Sequence, residues 1–288
     1  MPVLTAKNLH YRYLKGTPYE KQAVSDLSFT VEPGEILGII GHTGSGKSTL
    51  MQLLGGLLTP DAGTVLVEDT DIFADPKALR AARFRVGLVF QYPEYQLFDE
   101  TVAADIGFGP RNMGLSEEAV ADRVKRAAAL VQLPEALLEK SPFDLSGGEK
   151  RRAAIAGILA MEPEVLILDE PTAGLDPRGR QVILDLIRTY HDQTGAAVLF
   201  VSHNMEDVAA LADRVLVLSN GKRLMWDTAD RVFANEDLLR SVSLDIPAVA
   251  RILSALRRRG HALPEGITSV EQAVEALLAL KKAGDGTC

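Results

Sequence analysis

The segment GHTGSGKS, Gly41 to Ser48, constrains the possible folds of this chain more than any other. A continuous apolar run, Ile36 to Ile40, precedes it, and a helical pattern, Ser48 to Leu57, follows it. A buried strand, a glycine-rich turn and a helix in this order are typical of a P-loop, whose backbone N–H groups surround phosphate oxygens. Lys47 would reach the terminal phosphates, and the hydroxyl of Ser48 suits Mg²⁺. The segment predicts nucleotide binding, but alone it leaves kinases, GTPases and ATPases open.

The other apolar runs predict an α/β fold. After Glu35, short runs alternate with helical segments, which is typical of a mainly parallel sheet covered by helices. These runs are Val165 to Leu168, Val198 to Val201 and Val215 to Leu218. Alternating patterns at Leu4 to Tyr13 and Ala23 to Val31 predict a separate antiparallel β layer at the start of the chain. We therefore expect a P-loop nucleotide hydrolase core with an antiparallel β subdomain.

The remaining segments are predicted to be helical. Residues 99–160 carry helical patterns without a clear strand, so we expect an inserted helical subdomain within a main domain of residues 1–235. Residues 236–288 form a C-terminal extension, in which Ser269 and Gln272 have capping-box spacing. Its apolar residues recur at helical spacing, at Val249, Ile252, Leu253, Leu256, Val270, Val274, Leu277 and Leu278. These helices either pack on the main domain or dock another subunit.

Composition excludes several classes of protein. The formal net charge is -8, which argues against a nucleic-acid partner despite the basic clusters Lys150 to Arg152 and Arg257 to Arg259. The longest apolar run, near Ala153 to Met161, is shorter than the ~18 residues of a spanning helix. The start of the chain lacks a secretory pattern, so we expect a cytoplasmic chain. The single cysteine, Cys288, excludes disulfide frameworks and thiolate metal sites, and we expect it to have no role.

Two adjacent acids end the apolar run Val165 to Leu168. Asp169 and Glu170 fall where a parallel sheet presents the carboxyl ends of its strands to a ligand. Asp169 is placed to hold Mg²⁺, and Glu170 to polarise a water molecule in line with the γ-phosphate. Kinases do not need the second acid, so this pair favours an ATPase.

The segment LSGGEKRR, Leu145 to Arg152, predicts a second anion site. Its Ser-Gly-Gly sequence opens a helical pattern, Glu149 to Ala160, and a helix N-terminus of this kind binds anions. One nucleotide has a single terminal phosphate to bind. Two such sites in one chain therefore imply that two chains share each nucleotide.

The order and spacing of these motifs resemble the ATP-binding cassette (ABC) ATPase family over Leu4 to about Phe233. In this resemblance Gln91 matches the Q-loop and Ala173 to Asp176 the D-loop. His203 matches the switch histidine, and Tyr13 falls where an aromatic ring stacks on adenine. Every element of the family pattern is present.

The resemblance implies a site for ATP and Mg²⁺. Glu170 would be the catalytic acid, with Gln91 and His203 beside the attacking water, and Ser48, Gln91 and Asp169 would hold Mg²⁺. The residues that would contact ATP are Tyr13, Gly41, His42, Thr43, Gly44, Ser45, Gly46, Lys47, Ser48, Thr49, Ser146, Gly147, Gly148 and Asp176.

In that family two cassettes close head to tail over two Mg-ATP, each nucleotide lying between one P-loop and the signature of the other chain. Hydrolysis then reopens the pair. Glu149 departs from the pattern, because the signature more often carries glutamine there. The polar contact at that position is left open.

Two segments resemble the ATPases of energy-coupling factor (ECF) transporters, which import vitamins and transition-metal ions. They are Gln91 to Phe98, QYPEYQLF, and Leu145 to Arg180, which is similar to the second of two paralogous ATPase subunits. The resemblance implies a second ABC ATPase subunit, a transmembrane coupling protein and a substrate-binding membrane protein as partners. The chain would then be a peripheral subunit at the cytoplasmic side of the cell membrane.

The aromatic residues after Gln91 suggest where the coupling protein docks. We expect Tyr92, Tyr95, Leu97 and Phe98 to line a cleft for an amphipathic helix, with Asp99-Glu100 pairing with its arginines. Alternatively, these aromatic residues pack the helical subdomain. Two other functions also stay open, an ATPase of another ABC transporter and a soluble ABC ATPase without a transport role.

Overall fold

Two β-sheets organise the chain, which the computed structural model describes over residues 1–284. Cys288 lies outside the described residues. The first sheet has four antiparallel strands in the order β2-β1-β4-β5. These strands are β1 (Leu4–Tyr13), β2 (Lys21–Val31), β4 (Ala62–Val67) and β5 (Thr70–Asp71). The predicted antiparallel layer is therefore confirmed.

The second sheet has six strands in the order β10-β9-β3-β8-β7-β6. They are β3 (Ile36–Gly41), β6 (Val86–Val89), β7 (Val165–Asp169), β8 (Ala197–Val201), β9 (Arg214–Ser219) and β10 (Lys222–Thr228). All neighbours are parallel except β9 and β10. Asn220 and Gly221, with φ of 49° and 75°, form the tight turn that their Asn-Gly sequence predicts between these two strands.

Eleven helices over the described residues complete the fold. They are α1 (Lys47–Leu54), α2 (Pro76–Arg85), α3 (Val102–Asn112), α4 (Glu117–Leu130), α5 (Gly147–Leu159), α6 (Pro177–Thr194), α7 (Met205–Leu211), α8 (Ala229–Ala234), α9 (Glu236–Ser241), α10 (Ala248–Arg258) and α11 (Val270–Gly284). Between α3 and α5 the structure has no strand, as the patterns in residues 99–160 predict. None of the helices in the described part of the chain combines the length and apolarity that crossing a membrane requires.

The six-stranded sheet separates two hydrophobic cores. Along β7, Leu166 and Leu168 face the core shared with α3 to α6, whereas Val165 and Ile167 face the core shared with α1 and the antiparallel sheet. Because both faces are covered, every residue of β7 is buried, and the strand reads as an uninterrupted apolar run. The parallel register pairs Val201 with both Ile39 and Asp169. Three strand ends therefore meet at one edge of the sheet.

The C-terminal extension has a small core of its own. Leu253 of α10 packs with Leu263 and with Ala273 of α11, and the backbone N–H of Gln272 donates to Ser269 Oγ at 3.2 Å, as the capping pattern predicts. The predicted apolar face is only partly buried. Its exposed members are Ile252, Val270, Val274 and Leu278.

Candidate functional site

The turn between β3 and α1 has the conformation of an anion-binding loop. Gly44 and Gly46 have φ values of 80° and 105°, which favour glycine over residues with a side chain. A Cβ at Gly46 would lie 2.4 Å from the carbonyl oxygen of Ala23. No side chain caps the start of α1, and the buried Ser45 Oγ has no partner among the described residues. The uncapped N–H groups at the start of α1 and the Ser45 hydroxyl can therefore donate to phosphate groups, as expected for the predicted nucleotide site.

Lys47 holds its ammonium group inside this turn. Nζ donates to the carbonyl oxygens of Gly41, at 2.6 Å, and of His42, at 3.2 Å. Burial lowers the pKa of Lys47, while the charges of Glu170 and Asp169 oppose that shift. A buried ammonium held mainly by carbonyl groups still has capacity for a charged phosphate oxygen.

Asp169, the last residue of β7, contacts the first turn of α1. Its carboxylate is buried, and the hydroxyl of Ser48 is one of the groups that act on its pKa. Burial raises the pKa of Asp169, and the Ser48 hydroxyl and the charge of Lys47 act in the opposite direction. The hydroxyl and the carboxylate are oxygen donors of the type that Mg²⁺ prefers, so this pair fits the predicted ion.

Glu170 leaves the strand in a conformation that is uncommon for a residue with a side chain. Its φ is 50°, and its backbone N–H donates to the carbonyl oxygen of Val201 at 3.0 Å. Burial raises the pKa of Glu170, with an opposing effect from the charge of His203. A carboxylate with a raised pKa is a stronger base than an exposed one.

Two side chains from neighbouring strand ends converge on Glu170. His203 follows β8, and its Nε2 lies 2.5 Å from Oε2 of Glu170. Gln91 follows β6, and its Nε2 donates to the same oxygen at 3.2 Å. The parallel sheet thus brings Glu170 together with a glutamine that is 79 positions away in sequence and with a histidine from the next strand. Sequence reasoning grouped them only through the family resemblance.

The signature residues occupy the exposed start of α5. The hydroxyl and the backbone N–H of Ser146 both donate to Oε2 of Glu149, at 2.6 and 2.8 Å. In return, the backbone N–H of Glu149 donates to Ser146 Oγ at 3.4 Å. A Cβ on Gly147 or Gly148 would meet nothing within 4 Å. Asp176 lies at the start of α6, where its Oδ1 accepts from the N–H of Gly179 at 2.7 Å. The start of α5 is thus open, and the Glu149 carboxylate lies against its first donors.

Tyr13 lies beside the P-loop helix, as the resemblance implies. Its hydroxyl is 3.1 Å from Thr49 Oγ1, and its ring meets Tyr11 edge to face at 4.9 Å. The Tyr13 side chain is half-exposed, whereas Tyr11 packs against the core. Its ring is therefore accessible for stacking.

The segment after Gln91 forms a 3₁₀ turn, Pro93–Gln96, at the border of a cleft of about 320 Å³. The cleft is lined by Phe84, Leu97, Phe98, Asp105, Phe108 and Met161, among others. Leu97 and Phe98 line this cleft, as the sequence predicts. The prediction that Tyr92 and Tyr95 also line it was wrong. Tyr92 contacts Arg151 instead, and Tyr95 is 85% exposed outside the cleft.

The acid that borders the cleft is Asp105, which sequence reasoning missed. Its Oδ2 accepts from the N–H groups of Phe98, at 2.8 Å, and Asp99, at 3.0 Å, and so fixes the chain at the cleft wall. Phe108, one turn further along α3, meets the ring of Phe98 edge to face at 5.0 Å. Asp105 and Phe108 are three positions apart, so the sequence could have placed them on the same face of a helix. That this face borders the cleft depends on how α3 packs against the rest of the protein.

Asp207 is a second residue that sequence reasoning missed. It is fully buried in α7, where it accepts from Thr172 Oγ1 at 3.0 Å and from Arg180 Nε at 2.5 Å. Arg180 Nη2 also donates to Asn204 Oδ1 at 3.0 Å. The network ties the segment after Glu170 to the turn that carries His203. Nothing in the local sequence distinguishes this acid from an exposed one.

The site defines an ABC-type ATPase. It combines this strand order with a P-loop, two adjacent acids at a strand end and an exposed Ser-Gly-Gly helix start. The sequence pattern of the ABC transporter family matches residues 24–173. The chain belongs to this family and, within it, to the ATP-binding proteins of energy-coupling factor transporters, as its curated relatives show.

Three such relatives are named energy-coupling factor transporter ATP-binding protein EcfA2. The protein of Caldanaerobacter subterraneus subsp. tengcongensis is 49% identical over 278 residues, covering 96% of this chain and 97% of its own. That of Clostridium tetani is 50% identical over 273 residues, covering 94% and 95%. That of Symbiobacterium thermophilum is 49% identical over 288 residues, covering 99% of each.

Solved structures agree with this family. CbiO1 from Clostridium perfringens, described as part of the ABC transporter complex CbiONQ, superposes with a TM-score of 0.74 at 36% identity, over 89% of this chain and 99% of its own. The ATP-binding cassette MJ0796, a dimer bound to ADP and phosphate, gives a TM-score of 0.70 at 26% identity, over 78% and 98%. The chain is therefore an ATPase of the ABC transporter class.

Proposed function

We propose that this chain binds and hydrolyses ATP as one ATPase subunit of an ECF-type transporter that imports a vitamin or a transition-metal ion. The convergence of Gln91 and His203 on the carboxylate of Glu170 carries this proposal, because it forms a base with two orienting side chains. Residues 1–235 would act as the ATPase domain, with the helical subdomain at about 99–160. Residues 236–288 would act as a docking extension.

Each side chain of the site has a distinct task in hydrolysis. The P-loop N–H groups and Lys47 bind the phosphates of ATP, and Tyr13 stacks on the adenine. Glu170 accepts a proton from the attacking water, which Gln91 and His203 orient.

Ser48, Asp169 and Gln91 would hold Mg²⁺, which neutralises phosphate charge when it is bound. Ser48 lies in the first turn of the helix that follows the phosphate turn, and Asp169 ends β7 with a buried carboxylate on which Ser48 and Lys47 act, which supports their assignment.

A second ATPase chain would complete each site. The open start of α5, Ser146 to Gly148, supplies donors that no residue of the same chain other than Glu149 uses in the described structure. These donors would bind the terminal phosphate of ATP held by the partner chain. The exposed apolar residues of the C-terminal extension, such as Val270 and Val274, would add to the contact between the two chains.

The cleft beside the 3₁₀ turn would receive a helix of a transmembrane coupling protein, which in turn contacts a substrate-binding membrane protein. The aromatic pair Phe98 and Phe108 offers an apolar floor, and Asp105 offers a charge at its wall. Asp99 and Glu100 form no ion pair with any side chain in the described part of the chain, so they remain proposed partners for arginines. The chain would thus lie at the cytoplasmic side of the cell membrane.

Replacement of the cleft residues tests the transport role. We expect Phe98→Ala and Phe108→Ala to abolish co-purification with an integral membrane partner and to leave ATP binding unchanged. Tyr19→Ala is the matched control, since Tyr19 is 79% exposed on a loop far from the cleft in sequence. The transport role would be rejected if the native chain never co-sediments with an integral membrane protein. Retained assembly of both cleft variants would reject the docking site alone.

A further inference from the structure

The side chain of Arg151 joins three segments that surround the nucleotide site. Arg151 lies in α5 and is 3% exposed. Its Nε and Nη2 donate to the two carboxylate oxygens of Glu94, at 2.9 and 2.7 Å. Its Nη1 donates to the carbonyl oxygens of Ala173, at 2.7 Å, and Pro171, at 3.4 Å. One guanidinium thus contacts the turn after Gln91 and the segment that follows Glu170.

Tyr92 strengthens the same junction. Its ring lies 5.7 Å from the guanidinium carbon of Arg151, within the range of a cation–π contact. A Cβ on Gly174 would be 3.5 Å from Cε1 of Tyr92, so the ring lies beside this segment. Tyr92 has φ and ψ of 56° and 57°, the left-handed conformation that turns the chain from Gln91 toward this contact. The turn therefore rests directly on the segment 171–174.

The Arg151–Glu94 pair is stiff because it is removed from water. A bidentate guanidinium–carboxylate contact fixes the orientation of both groups. Separating the two charges costs more free energy in a buried site than at the surface. Burial alone would raise the pKa of Glu94, but the hydrogen bonds and charge of Arg151 hold it below its usual value. Glu94 stays ionised at neutral pH. A displacement of the turn therefore moves Arg151 with it or breaks a buried pair.

We propose that Arg151 is a positioning residue that transmits displacement of the turn Pro93–Gln96 to the segment between Glu170 and Asp176. This inference rests on the proposed function, because Gln96 and the adjoining Leu97 border the cleft assigned to the membrane partner. Entry of a helix into the cleft shifts the turn, and the guanidinium carries that shift to the carbonyl groups of Pro171 and Ala173. The position of the Glu170 carboxylate then depends on occupancy of the cleft.

Arg123 provides a matched control in the same helical region. Its Nη1 donates to the carbonyl oxygens of Ala160, at 3.2 Å, and Met161, at 3.0 Å, and its Nη2 pairs with Glu162 at 2.9 Å. Arg123 thus has the same types of partner as Arg151. Its partners belong neither to the turn after Gln91 nor to the segment after Glu170.

The experiment measures ATP hydrolysis by the complete transporter complex carrying Arg151→Lys, Glu94→Gln, both changes, or Arg123→Lys. We expect Arg151→Lys and Glu94→Gln each to lower kcat about 3- to 30-fold, with KM for ATP changed less than about twofold, because positioning and not nucleotide binding is affected. The double variant should be no slower than the slower single variant, because both changes break one connection. Arg123→Lys should retain the kcat of the wild type.

Two results would overturn the inference while wild-type complex hydrolyses ATP. One is an Arg151→Lys variant whose kcat equals that of Arg123→Lys, and the other is a double variant whose loss equals the product of the single losses. Thermal unfolding shows whether Arg151→Lys folds. If it does not, the test rests on Glu94→Gln alone, and a kcat of Glu94→Gln equal to that of the wild type overturns the inference. A wild-type complex without hydrolysis would instead reject the proposed function.

Discussion

Nε2 of His203 lies 2.5 Å from Oε2 of Glu170, although the two residues follow different strands. The contact exists because β7 and β8 are parallel neighbours, with Asp169 paired to Val201. Parallel strands end at the same edge, so the residues that follow them meet there. Glu170 is thereby held between an imidazole and the amide of Gln91. Both side chains contact the same carboxylate oxygen, Oε2, and so fix its orientation.

Replacement of Glu170 by Gln should remove nearly all turnover. A proton acceptor in a reaction of this kind contributes about 10²- to 10⁴-fold to the rate, and Gln cannot accept the proton at neutral pH. ATP binding should persist, because the proposed phosphate contacts come from the P-loop and not from Glu170. The measurements are steady-state phosphate release and binding of a fluorescent nucleotide. Hydrolysis at the wild-type rate would refute the assignment of Glu170 as the base.

The same substitution should stabilise the protein at neutral pH. Burial raises the pKa of Glu170 above its ordinary value of 4.5, so the folded state holds the proton more tightly than the unfolded state. The free energy of unfolding therefore falls as pH rises from that ordinary value through the raised pKa, and Glu170→Gln removes this loss. We expect a higher Tm for the variant at pH 7 and a smaller difference near pH 4. A lower Tm at pH 7 would contradict the stated cause of the shift.

Hydrolysis should depend on pH through the same group. A base works only when it is ionised, so kcat should decrease as pH falls through the raised pKa of Glu170. The apparent pKa of the acid limb should be higher than the pKa of an ordinary glutamate. Steady-state rates between pH 5 and 9 at saturating Mg-ATP check this expectation. A flat profile over this interval would show that a different step limits turnover.

Replacement of Lys47 by Ala should weaken nucleotide binding itself. A charge-assisted hydrogen bond contributes about 1.5–3 kcal/mol, so removal of each such bond to phosphate should raise Kd about 10- to 150-fold. The folded state should survive, because within residues 1–284 the Lys47 ammonium bonds only carbonyl groups of its own turn, those of Gly41 and His42. Calorimetric titration with a non-hydrolysable ATP analogue measures the change. Lys77→Ala is a suitable control, since Lys77 is exposed on α2.

Glu149→Gln should strengthen the ATP-dependent association of two chains. The hydrogen bonds from Ser146 lower the pKa of Glu149, so its carboxylate stays ionised against the donors proposed for phosphate. Removal of a charge at a helix start changes binding there by about 0.3–1 kcal/mol, or about two- to fivefold. The free energy of unfolding should change by less than about 0.5 kcal/mol, because Gln retains the capping geometry.

Sedimentation with Mg-ATP, in chains that also carry Glu170→Gln to preserve the nucleotide, measures that association. Unchanged association would show that the carboxylate moves away from Ser146 when the chains meet.

Patterns local in sequence were sufficient for the fold class and for the elements that carry the candidate site. The P-loop turn between β3 and α1 was predicted because Gly44 and Gly46 adopt backbone conformations that other residues avoid. The strand β7 was predicted because burial on both faces requires a continuous apolar run. A helix opened by Ser-Gly-Gly was predicted from Glu149, and the structure begins it two residues earlier, at Gly147, with a capping box between Ser146 and Glu149.

The structure was needed wherever a role depends on a distant contact. Arg151 belongs to a run of three basic residues that in sequence resembles a solvated patch, but it is buried against a carboxylate 57 positions away. Tyr95 was expected in the cleft and is exposed outside it, because Leu97 and Phe98, which follow the 3₁₀ turn, are the residues of this segment that line the cleft wall. A sequence determines local backbone preferences and periodic burial, whereas the pairing of distant charges and the side of a turn that faces a cleft depend on how the elements pack.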